Sequence, residues 1–94
     1  MDEKTEAFYE RLKEELRTTS EWPGLYLFKF IVPTDKNKIV EVETAFDNLG
    51  AVIRTTQSKN GKFTSVSINV EMQSPDQVIE KYKAVSTIEG IISL

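Results

Sequence analysis

Apolar positions recur along the chain with two different periods, and the switches between them outline seven elements. In residues 3–17, Phe8, Leu12 and Leu16 recur at i, i+4 and i+8 with Tyr9 beside them, and the other faces are charged. That spacing predicts a helix with a narrow apolar stripe, which needs a surface to lie on. The segment TTSEWPG at 18–24 breaks it, because Pro23 disfavours helical geometry at Trp22. From Leu25 to Val32 the period becomes two. Tyr26, Phe28, Phe30 and Val32 form one set and Leu25, Leu27, Lys29 and Ile31 the other. An unpaired ammonium is costly in a core, so Lys29 turns its own set outward and the aromatic set inward. Pro33-Thr34-Asp35 closes the strand and offers Thr34 or Asp35 as a helix cap. Ile39, Val42, Phe46 and Leu49 then follow at helical spacing up to Gly50, predicting a helix of about four turns.

Ala51–Gln57 reads as a short second strand, and Asn60-Gly61 marks a hairpin. Phe63–Met72 is the third strand, with Val66, Ile68, Val70 and Met72 on one face and Phe63, Ser65, Ser67 and Asn69 on the other. Ser74-Pro75-Asp76-Gln77 opens a helix whose stripe is Val78, Tyr82 and Val85, flanked by Ile79. Ile91–Leu94 forms a last strand after Gly90. The order is one helix and then β-α-β-β-α-β. Right-handed crossovers and one tight hairpin make this an α+β, ferredoxin-like sandwich, with a four-stranded antiparallel sheet in the order 4-1-3-2. Residues 1–21 are the added amphipathic helix and its linker, and residues 22–94 the ferredoxin-like domain. Both crossover helices cover one sheet face. The other face, with Leu27, Ile31 and Phe63, is too apolar to stand bare. The first helix is expected to cover it, in the same chain or in a second copy.

Composition narrows the chemistry. The 94 residues include no cysteine and no histidine, so disulfides, thiolate or imidazole metal sites and Cys- or His-based nucleophilic relays are excluded. Residues 1–24 hold seven acids and four bases, which accounts for the whole net charge of −3. A neutral domain behind an acidic leader has no electrostatic footprint for nucleic acid. The start MDEKTEAFYE has neither the basic nor the apolar region of a signal peptide, and no apolar run approaches the roughly 20 residues of a membrane span. The expectation is a cytoplasmic protein that does not enter membranes.

The run WPGLYLFKFIVP, the hairpin SKNGKFTSVSINVEM and the tail SPDQVIEKYKAVSTIEGIISL resemble the YbeD-like family of small bacterial proteins of unknown function. The resemblance covers about residues 22–94, and the N-terminal helix looks like an extension of one branch. The family is similar in fold to ACT domains, modules that bind amino acids and regulate metabolic enzymes. In those the ligand sits beside the loop after the first strand. Here that loop, Val32 to Lys36, lacks the glycine usual there.

Three function classes follow. The first is a non-enzymatic regulatory or protein-interaction module, with Leu27, Lys29, Ile31, Phe63, Ser65, Ser67 and Asn69 as its binding face. The second, carried by the resemblance to ACT domains, is an amino-acid-type sensor using Pro33, Thr34, Asp35 and Lys36. RNA binding ranks last. RNA-recognition domains share the βαββαβ order, but Ser65 and Ser67 stand where stacking rings belong and only Phe63 could serve. Arg54, Lys59 and Lys62 form a candidate anion cluster, read in preference as a soluble hairpin. Glu41, Glu43, Asp47, Glu71, Asp76 and Glu80 are spread over solvated positions, so neither catalytic residues nor a metal site are assigned. No cofactor is implied. Trp22 is expected to lid the core edge. The apolar end Ile91–Leu94 would be an edge strand, either covered within the chain or paired in a homodimer.

Overall fold

In the computed structural model, which describes residues 3–94, the elements run α1 (Glu3–Thr19), β1 (Gly24–Pro33), α2 (Lys36–Thr44), β2 (Val52–Gln57), β3 (Phe63–Met72), α3 (Pro75–Val85) and β4 (Ile92–Ser93). Met1 and Asp2, which open the leader expected over residues 1–21, lie outside the described residues. The four strands form one sheet in the order β2-β3-β1-β4, the ferredoxin-like arrangement read from the other edge. All pairs are antiparallel.

Alternation on the two long strands decides where the core lies. Phe28, Phe30 and Val32 of β1 and Val66, Ile68, Val70 and Met72 of β3 are buried on one face. Val42 and Phe46 from α2 and its following turn, and Val78 and Val85 from α3, complete the same cluster. Phe28 is its hub, with ring centroids 4.9 Å from Phe46 and 5.1 Å from Tyr82. The buried Thr64 is satisfied by Thr34, hydroxyl to hydroxyl at 2.9 Å. Lys29 points away from the helices, as its charge requires.

The helix starts follow their sequence signals. The Asp35 carboxylate accepts from the Asn37 amide, and the Ser74 hydroxyl from the Gln77 amide, with Pro75 in the first turn of α3. The Gln77 side chain accepts in return from the Gln73 amide at 2.6 Å, closing a capping box shifted by one residue.

Three expectations need correction. The helix expected to reach Leu49 ends at Thr44, after nine residues. The chain then tightens, with the Phe46 amide donating to Glu43 and the Asp47 amide to Thr44, and left-handed residues at Asn48 and Gly50 turn it into β2. These tight turns still aim Phe46 inward, so the apolar spacing runs on past the helix. Lys81 of α3 donates to the Ala45 carbonyl at 2.9 Å and so binds this end of α2. The last strand is two residues long, opposite Phe30 and Ile31, and the Leu94 amide donates to the Lys29 carbonyl at 2.9 Å. Gly90 makes its approach feasible: at φ +83°, a Cβ there would lie 2.8 Å from the Pro33 ring.

The third correction concerns α1, which does not cover the open sheet face. It lies against α3, on the helical side of the molecule. Leu16 is buried in the core and Leu12 packs against it. Lys13 pairs with Asp76 at 2.9 Å, and Lys83 stands 5.5 Å from the Tyr9 ring centre. The Trp22 indole N–H donates to the Leu16 carbonyl at 2.9 Å, so Trp22 closes the core edge between α1 and β1. Leu12 and Leu16 are thereby engaged within the chain and are not free for a second copy. The sequence shows that a stripe needs a surface but not which surface it meets; the charges on α3 decide that.

Candidate functional site

With α1 on the helical side, the far face of the sheet stands uncovered, and strand register assembles it row by row. Leu27 of β1 lies opposite Asn69 of β3, which lies opposite Val52 of β2. The next row is Lys29, Ser67 and Arg54, and the one after is Ile31, Ser65 and Thr56, with Ile92 of β4 beside Ile31. Pro33 and Phe63 close one end, and Leu25 and Glu71 the other. The sheet thus brings Leu27, Lys29, Ile31, Phe63, Ser65, Ser67 and Asn69 together on one surface.

Side-chain size gives this surface its relief. The β3 floor is small and polar, Ser65, Ser67 and Asn69, while β1 and β2 raise longer side chains on either side. A concavity of about 230 Å³ lies among Leu27, Val52, Arg54, Ser67 and Asn69. A second, of about 260 Å³, lies among Ile31, Thr56, Phe63 and Ser65. A third, of about 660 Å³, continues past Val52 and Asn69 toward Glu71, Asn48 and Gln77. The three follow one another along β3 as a shallow trough, the first and third sharing Val52 and Asn69 and the second set apart at the Phe63 end. Its middle row is cationic: neither the Lys29 nor the Arg54 side chain has a hydrogen bond or ion pair among the described residues.

Sequence reading missed Arg54 as part of this face, grouping it with Lys59 and Lys62. Arg54 sits opposite Ser67, three residues along β2 from the last strand residue before the hairpin loop that carries the two lysines. Alternation on the polar strand β2 could have placed it, but Arg54-Thr55-Thr56-Gln57 has no apolar residue to fix its phase.

In the loop of the sensor reading, Thr34 and Asp35 carry hydrogen bonds within the fold. The Thr34 amide donates to the Lys62 carbonyl, its hydroxyl meets Thr64, and Asp35 caps α2. These polar groups hold the fold together at the hairpin end. For nucleic acid, Phe63 is the sole ring on the open face among the described residues, since Phe28 and Phe30 turn to the helices. No group of three or more His, Cys, Asp or Glu gathers among the described residues, and no helix there is long and apolar enough to cross a membrane.

The family described as Protein of unknown function (DUF493) matches residues 17–94, from the last three residues of α1 through β4. The chain belongs to this family. It is the YbeD family, as the strand, hairpin and tail segments indicated. A search of curated proteins and a search of solved structures each found no match. The DUF493 match begins at Arg17, so most of α1 lies outside it while Trp22 and both long strands lie inside.

Proposed function

We propose that this DUF493 protein is a non-enzymatic interaction module that docks a partner protein on the open face of its sheet. One observation carries the reading. Of the eight large hydrophobic residues exposed among the described residues, six belong to this face: Leu25 (75%), Leu27 (55%), Val52 (58%), Phe63 (46%), Ile92 (51%) and Leu94 (69%). Scattered exposed leucines are ordinary, but a contiguous patch marks a surface that is covered in use. The remaining two, Phe8 and Val40, stand apart on α1 and α2. A role of this kind suits a regulatory protein of the cytoplasm.

The reading is tested by placing a photo-crosslinking amino acid at Leu27, and separately at Val40, in the producing cells. Crosslinked protein adducts from position 27 and not from position 40 are expected. Adducts from neither position, or equally from both, would remove the open face as the functional surface.

A further inference from the structure

The middle of the trough states what its occupant must carry. Lys29 and Arg54 share one row across Ser67, with apolar rows on both sides: Leu27 and Val52 before it, Ile31 and Ile92 after it. The one side-chain carboxylate on the face among the described residues, Glu71, lies at the far end beside Leu25 and accepts from the Gln73 side chain at 3.3 Å. Covering the trough therefore buries two cations whose side chains no described residue pairs. An apolar lid would leave them desolvated at high cost. A second copy stacked face to face about an axis through the Ser67 row would set Lys29 and Arg54 against their own counterparts across a gap of about 10 Å. A phosphate polymer needs a longer basic track than one row.

We propose that the trough takes an acidic amphipathic helix of a partner protein, with a carboxylate on Lys29 and Arg54 and an apolar side chain one turn away on each side. This rests on the docking role of the open face and names the occupant's chemistry. The spacing supports it. Rows two residues apart on a strand repeat at about 6.7 Å, and side chains four apart on a helix repeat at about 6 Å. A helix lying along β3 matches the trough when it reads apolar-x-x-x-acid-x-x-x-apolar. The floor of Ser65, Ser67 and Asn69 leaves room for its backbone to approach. A carboxylate between a lysine and an arginine makes charge-assisted hydrogen bonds, and the two apolar contacts exclude water around them. An extended strand, by contrast, joins a sheet at its edge rather than on its face.

The test uses the full chain and fluorescein-labelled synthetic helices of about 18 residues, or five turns. They carry Leu-x-x-x-Glu-x-x-x-Leu, or the same frame with Gln or Lys at the centre. Fluorescence anisotropy at about 0.05 M and 0.3 M salt reads their affinities. The Glu helix should bind about tenfold or more tighter than the Lys helix, and salt should narrow the gap. The double variant Lys29→Glu/Arg54→Glu should reverse the preference, with its circular dichroism unchanged because both residues are exposed. Equal binding of the three helices overturns the acidic occupant and leaves the docking face standing. No binding by any helix also overturns it, as does a stable homodimer closed through this face in sedimentation. Whether the face docks any protein is then decided separately by the crosslinks from position 27.

Discussion

At the margin of the core, the half-buried Tyr82 meets three aromatic side chains of β1 and shares its hydroxyl with Tyr26 at 2.9 Å. Burial, and then the neighbouring Tyr26 hydroxyl, hold its proton well above the ordinary phenol range. The unfolded chain releases that proton near pH ~10, whereas the folded chain keeps it. The unfolded state then binds fewer protons, so stability is intact below pH ~10 and falls as pH rises beyond it. Tyr9, raised by burial and Glu6, and Lys13, raised by its hydrogen bond to Asp76, act in the same direction. Replacing Tyr82 with Phe should leave a smaller loss of urea stability between pH 8 and pH 11 than the parent shows. The difference is a fraction of the roughly 1.4 kcal/mol per pH unit that one proton represents, since solvent reaches part of the ring and screens it. An identical loss in both proteins would mean that Tyr82 ionises as freely folded as unfolded.

Among the elements, α1 shows how a helix finds its place. Its stripe is too narrow to act alone, and two ion pairs to α3, Lys13 to Asp76 and Lys83 to Glu6, lie beside it. Such exposed pairs contribute little energy each but select one docking over another. The energy comes from Leu16. Changing Leu16 to Ala should cost about 2–4 kcal/mol in chemical denaturation, whereas Phe8 to Ala, at a position 53% exposed, should stay within about 0.5 kcal/mol. Equal effects would place α1 elsewhere. The same contrast explains what could be read in advance. β1 and β3 were legible because one charge, Lys29, and one polar row, Ser65 to Asn69, fix the phase of alternation. The destination of α1 and the end of α2 were not. Helical periodicity records which residues are inward, and both a docked helix and a tight turn at Phe46 satisfy it. The candidate face was legible on β1 and β3 and incomplete on β2, where the adjacent apolar pair Val52-Ile53 leaves the phase of alternation at Arg54 unset.

At the scale of the whole molecule, two layers leave one side of the sheet uncovered within the chain, and the charges on that side bear on whether it closes on a second copy. Apolar faces of this kind pair readily. Lys29 and Arg54 oppose it, because a two-fold stack centred on the Ser67 row sets two cations of one copy against two of the other, with no side-chain carboxylate in the central rows to separate them. The repulsion acts over about a Debye length, roughly 10 Å at 0.1 M salt, close to the spacing of stacked sheets. The chain should therefore sediment as a monomer at about that ionic strength and begin to self-associate as salt is raised. Lys29→Leu/Arg54→Leu should form dimers already at low salt, and the salt dependence should disappear with the charges. If the double variant stays monomeric at every salt concentration, the cations are not what keeps the face open. The relief of the trough, its small floor between taller walls, would then be what denies a flat second sheet its contact.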